Sequence, residues 1–130
     1  MRYATRMTIP PKAELWIKLS LPGVGQVGPG KMELLRQIDD KESIAAAARA
    51  MNMSYRRAWL LIEDVNRLFD EPVVAKWQGG KSKGGASLTE FGQKLIADYT
   101  VLVEQSNEAN RELLRQIGRS ASRDPRLKRA

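Results

Sequence analysis

Gly80-Lys81-Ser82 stands in the order that closes a phosphate-cradling loop, where backbone amides and a lysine hold the phosphates of a nucleotide. That pattern also needs a glycine five positions before its Gly-Lys-Ser, and the residue there is Ala75. A helix should start at the Lys-Ser, yet Lys83-Gly84-Gly85 follows, and paired glycines do not open helices. Nucleotide chemistry is therefore not expected, and Lys81 and Lys83 need another anion. The chain has no cysteine and no histidine, which removes thiol nucleophiles, imidazole bases and most transition-metal sites. Asp39-Asp40 and Glu63-Asp64 are neighbouring carboxylates without such partners, suited to balancing charge rather than to acid–base work. No catalytic residue, metal site or cofactor is expected, and the protein does not read as an enzyme.

A second pair of cations is better placed. Arg56 and Arg57 follow Ser54 and Tyr55 where a helix is expected to begin. Arginine can bind guanine through its O6 and N7, a contact worth about 1–3 kcal/mol of discrimination. Adjacent arginines point about 100° apart on a helix, so one can read a base while the other holds a phosphate. The bland alternative is two solvated surface arginines. Tyr55, Trp59 and Ile62 share a stripe at i, i+4 and i+7, where aromatics pack more often than they read bases.

The elements that must carry these residues follow from periodicity. Alternation across residues 13–19 puts Leu15, Ile17 and Leu19 on one face, the pattern of a half-buried strand fenced by Pro10-Pro11 and by the turn residues 22–30. A first helix is expected over 31–40 from Leu34, Leu35 and Ile38. Ser43 suits the N-cap of a second, over 44–51, whose four alanines let another helix come close. Asn52 suits the left-handed residue that ends it, and Ser54 caps a third, over 55–69, burying Ala58, Leu61, Val65 and Leu68. Short strands at 73–77 and 86–88 flank the glycine-rich stretch, making it the tip of a hairpin. Thr89 can cap a last helix sustained to about residue 118, too long to pack fully on so small a domain.

An alanine-rich helix, a tight turn and a Ser-capped cationic helix describe a helix-turn-helix, whose second helix enters the DNA major groove. The hairpin then gives Lys81 and Lys83 a task on the neighbouring minor groove or its phosphates, with Lys76 assisting from the strand. The formal charge of +7 fits a polyanionic partner. More than half of it lies in residues 119–130, read as a disordered basic tail and left out of the specific site. No apolar run approaches the roughly 18 residues that span a bilayer, and Glu14 and Lys18 interrupt any signal-peptide core, so a cytoplasmic protein with no membrane partner is expected.

The run "SIAAAARAMNMSYRRAWLLIEDVN" followed by "PVVAKWQGGKSKGGASLTEFGQKLI" resembles the N-terminal DNA-binding domain of the ModE-type molybdenum-responsive transcriptional regulators, over about residues 30–100. A more distant similarity to LysR-type winged helices covers the same elements. The resemblance implies a homodimeric winged helix with Ser54, Tyr55, Arg56 and Arg57 in the recognition helix, a wing around 79–85 and a final helix pairing with its copy. Full-length members add molybdate-binding domains after that helix. This chain ends in a basic tail at Ala130, so molybdate binding within it is not expected. A truncated regulator, a constitutive one and one controlled through a partner all fit.

The expected fold is thus α+β and mainly α: residues 1–88 a winged helix-turn-helix, 89–118 a long dimerisation helix, 119–130 the tail. The dimer seam is expected at Leu102, Val103, Leu113, Leu114 and Ile117, with Ser106 and Asn110 facing inward to set its register. The expected function is sequence-specific DNA binding by a transcriptional regulator, repression of molybdenum-related genes being favoured over activation. Its rivals are a winged-helix module that binds protein and a non-specific DNA-binding protein.

Overall fold

The computed structural model describes residues 13–77 and 85–124. The chain forms two compact units, one of Trp16–Val101 and one of Met1–Leu15 with Leu102–Ala130.

In the first unit the expected alternation is present, with Ile17 and Leu19 half-buried and Trp16 and Lys18 exposed. Only its end pairs, as β1 (Leu19–Leu21) runs antiparallel to β2 (Gly25–Val27) with Leu19 opposite Val27. The turn between them follows from Pro22-Gly23. The Val24 N–H donates to the Leu21 carbonyl at 2.9 Å. Gly23 takes φ 77°, as the third residue of such a turn requires. β2 lies in a stretch that reads as turn residues alone, because glycine and proline on both sides hide a three-residue strand from any periodicity.

Helix α1 (Pro29–Lys41) starts two residues earlier than the apolar pattern predicts, since a proline has φ already set for a first turn. It buries Met32, Leu34, Leu35 and Ile38 and ends at Glu42, held at φ 52° with its N–H on the Ile38 carbonyl. Helix α2 (Ile44–Ala50) opens under Ser43, whose hydroxyl accepts from the Ala46 N–H at 3.0 Å. Asn52, at φ 58°, makes the left-handed turn that its residue type favours. Helix α3 (Tyr55–Arg67) then begins under Ser54, and Ala47, Ala48 and Ala58, all buried, keep the two helices close.

The core face of α3 differs from expectation by one residue. Ile62 is fully buried, while Leu61 and Leu68 are only half-buried. Leu60, Leu61 and Ile62 are consecutive apolar residues, so a 3.6-residue period can be drawn through either of the last two. Packing against α1 and α2 decides between them.

Strands β3 (Val74–Trp77) and β4 (Gly85–Leu88) pair antiparallel, Val74 opposite Leu88 and Trp77 opposite Gly85. Val73, Val74, Ala86 and Leu88 are buried, and the Ala86 N–H donates to the Glu42 carbonyl at 3.4 Å, setting β4 against the α1–α2 junction. Helix α4 (Glu90–Ala109) opens on Thr89, whose hydroxyl accepts from the Gly92 N–H and donates to the Pro72 carbonyl. A Cβ on Gly92 would stand 2.3 Å from the Val73 carbonyl oxygen, so only glycine lets the helix start against β3. Phe69 and Phe91 meet edge to face at 5.4 Å beside that junction. The buried Tyr99 hydroxyl donates to the Ile17 carbonyl at 2.6 Å; burial raises its pKa, against a smaller lowering by Arg36.

In the second unit, Asn107 ties the chain to itself by accepting from the Leu15 N–H at 2.7 Å and donating to the Val103 carbonyl. The single helix expected over 89–118 is interrupted. α4 stops at Ala109, Asn110 sits at φ −111°, ψ 20°, and α5 (Arg111–Arg119) follows. The Asn110 side-chain amide donates to the Ser106 carbonyl at 2.8 Å, the short polar side chain competing with the helix ladder for the same acceptor. The apolar period runs straight through the break, which is why spacing alone does not reveal it.

Candidate nucleic-acid interface

The start of α3 is built by its cap. The Ser54 hydroxyl accepts from the Arg57 N–H at 3.0 Å and thereby fixes the direction of the first turn. Ser54 spends its oxygen on the backbone, and Tyr55, Arg56 and Arg57 project from that turn into solvent, Tyr55 being 55% exposed. The turn contains no acidic residue. Two cations at a helix N-terminus oppose the helix dipole, each at a cost of about 0.3–1 kcal/mol where a carboxylate would stabilise.

Most helix cations here do have acids, as in Arg36–Glu33, Arg67–Asp64, Lys94–Asp98 and Arg115–Glu112. Among the described residues, Arg56 and Arg57 have none. Among the described residues neither guanidinium is paired, and each presents donors in the planar fork that suits phosphate or base edges.

The hairpin is attached to the flank of this helix. Lys76 forms an ion pair with Glu63, and its ammonium lies 4.7 Å from the centre of the Trp59 ring. Lys76 therefore already has an anion within the chain, and Trp59, 39% exposed, serves partly as the wall on which the strand rests. Lys81 and Lys83 lie outside the described residues. The base of their hairpin is held where Trp77 packs over Gly85, whose Cβ would come within 2.4 Å of the indole.

Asn66 is the positioning residue that spacing does not identify. Its carbonyl oxygen accepts from the N–H groups of Val73 and Val74 at 2.8 and 3.0 Å, and its amide donates to the Val74 carbonyl at 3.1 Å. One side chain thus welds the end of α3 to the first residue of β3. The available signal is an asparagine late in an amphipathic helix, where that residue has poor propensity and needs a reason to be present. Leu60 is the second omission, 43% exposed on a helix whose core face is already filled.

In the second unit Leu102, Leu113 and Ile117 are exposed, at 40%, 58% and 63%, while Val103 and Leu114 are half-buried. Leu113 and Ile117 are one turn apart on α5 and present apolar surface with no cover among the described residues. Of the two polar residues expected to set a seam, Asn110 donates its amide to the Ser106 carbonyl.

A Ser-capped helix following a tight turn from an alanine-rich helix, flanked by a two-stranded wing, makes the first unit a winged helix-turn-helix. No protein-family model matches the chain. It is 37% identical over 98 residues to the transcriptional regulator ModE of Yersinia pestis, a match covering 75% of this chain and 37% of that protein. It is 35% identical over 98 residues, with the same coverage, to the DNA-binding transcriptional dual regulator ModE of Escherichia coli K12. The molybdenum-pterin-binding protein MopB of Rhodobacter capsulatus is 45% identical over 74 residues, 57% of this chain and 27% of its own. Over the matched stretch the chain is similar to the ModE regulators, and it spans 37% of the length of the two regulators and 27% of MopB. A crystal structure of a LysR family transcriptional regulator superposes on 64% of this chain and 27% of its own at TM-score 0.49 and 18% identity, too loose a likeness to bear on the fold. No helix among the described residues is long and apolar enough to cross a membrane, and none of their acidic residues cluster as a metal site.

Proposed function

We propose that the protein is a sequence-specific DNA-binding transcriptional regulator of the ModE type, acting as a homodimer on a palindromic operator. The observation that carries this reading is the first turn of α3, where Arg56 and Arg57 oppose the helix dipole and have no acid among the described residues. Homology to proteins named as ModE regulators supports it independently. Each recognition helix would lie in a major groove, the two sites about one helical turn apart. Arg56 and Arg57 would divide base reading and phosphate binding, with Tyr55 alongside. Lys81 and Lys83 would follow the flanking groove. Lys76 would join them by exchanging the Glu63 carboxylate for a phosphate.

The uncovered apolar side chains Leu102, Leu113 and Ile117, with Val103 and Leu114, would meet their copies in the partner, as the isologous contact of a two-fold dimer requires. Repression fits occupancy of an operator, and a molybdenum-related target fits the name of the MopB relative; the Escherichia coli relative is named a dual regulator, so the names do not set the sign. Such a protein works where the DNA is, in the cytoplasm. The test is fluorescence anisotropy of the purified chain on a palindromic molybdenum-operon-like duplex and a scrambled one across several salt concentrations. Preference for the palindrome by about 4 kcal/mol or more, with a salt slope of several phosphates, is the expected result. Equal, steeply salt-dependent binding to both would overturn specificity and leave a basic protein that coats DNA.

A further inference from the structure

We infer that Leu60 reads the C5-methyl group of a thymine in the major groove, about two base pairs from the base met by Arg56. The inference rests on the DNA-binding reading above and adds a specificity contact to it.

At about 100° per residue, Arg56 and Leu60 both lie some 160° round the helix from Ala58. Ala58 is the centre of the buried face, which Ile62 and Val65 complete. Leu60 is therefore on the side turned away from the core, directly one turn after Arg56 and beside the partly exposed Trp59. A single exposed leucine on an ordinary surface means little. This one occupies the line of the recognition helix that would lie deepest in the groove, where a surface helix otherwise carries polar residues. The major groove offers one apolar feature to such a side chain, the thymine methyl. Four residues of helix advance about 6 Å. At a rise of about 3.4 Å per base pair, that places Leu60 roughly two steps beyond the Arg56 contact.

The test starts from duplexes that the full chain selects out of a random library. Each thymine is then replaced by deoxyuridine, which removes only the methyl. For the native protein, one thymine per half-site should weaken binding about fourfold when replaced, the worth of burying one methyl-sized group. Leu60→Ala should bind the thymine duplex weaker by a similar factor and lose all sensitivity to the replacement. Thermal melting of this exposed-site variant checks that it folds. Insensitivity of the native protein to deoxyuridine, or a penalty that persists in Leu60→Ala, overturns the inference while DNA recognition stands. Failure to select any duplex overturns both.

Discussion

Arg57→Glu should make the protein more stable and less able to bind DNA, and the two effects can be sized separately. Arg57 is the third residue of α3, and its N–H already donates to the Ser54 hydroxyl. A glutamate there turns Ser54-Tyr55-Arg56-Arg57 into a Ser-x-x-Glu capping box, its carboxylate reaching back to the Ser54 N–H. Removing a cation from the positive end of the dipole is worth about 0.3–1 kcal/mol, and adding an anion about as much again. The sum is about 0.6–2 kcal/mol at low ionic strength, or a Tm rise of about 2–16 °C at roughly 4–8 °C per kcal/mol for a domain of this size. Salt near 1 M should remove most of the gain, because the screening length falls to about 3 Å. On an operator the same change deletes a guanidinium and faces the phosphates with a carboxylate. Loss of a base-directed arginine costs about 1–3 kcal/mol for each half-site. If Arg57 instead binds phosphate, the salt slope also falls by about 0.9 for each phosphate no longer neutralised. Thermal melts at two salt concentrations and anisotropy titrations read both quantities. A lower Tm at low salt would show that Arg57 holds the fold together, and unchanged DNA affinity would remove it from the interface; either result refutes the reasoning.

Three other substitutions probe the frame. Gly92→Ala should lower the urea midpoint by the equivalent of up to about 2 kcal/mol, because the new methyl meets the Val73 carbonyl and an overpacking strain of about 1–3 kcal/mol outweighs alanine's helix preference of about 1 kcal/mol. Asn66→Ala leaves the Val73 and Val74 N–H groups unpaired at buried residues; it should cost about 1–3 kcal/mol in chemical denaturation and weaken DNA binding without altering the preferred sequence. Ile117→Glu should shift the chain from dimer to monomer in sedimentation velocity at micromolar concentration, and a monomeric native protein would sink the proposed seam.

The parts of the fold legible in the sequence are those made by short-range chemistry. Ser43, Ser54 and Thr89 are caps because a hydroxyl beside a helix start has an N–H within reach whatever surrounds it. Asn52 turns left-handed for the same local reason. The first-turn cations Arg56 and Arg57 are legible too, since their exposure follows from the amphipathic pattern of one helix. What escapes is decided at a distance. Choice of Ile62 over Leu61 depends on α1 and α2. Lys76 reads as a free cation until β3 is laid beside Glu63 and Trp59. Asn66 acquires its role only when residues seven and eight positions later return to it. The break at Asn110 is local, yet a count of apolar spacings is blind to backbone geometry.

The weld at Asn66 and the clasp of Lys76 on Glu63 have a consequence for how operators can vary. Helix and wing strand are joined at two places, so on the proposed reading the distance along DNA between the groove met by α3 and the flank met by the hairpin would be a constant of the protein. Each half-site would then behave as a gauge block of set length. Insertions between the α3-read bases and their flank should be rejected outright, and evolution of new binding sites is confined to changing letters within that length or the gap between two such blocks.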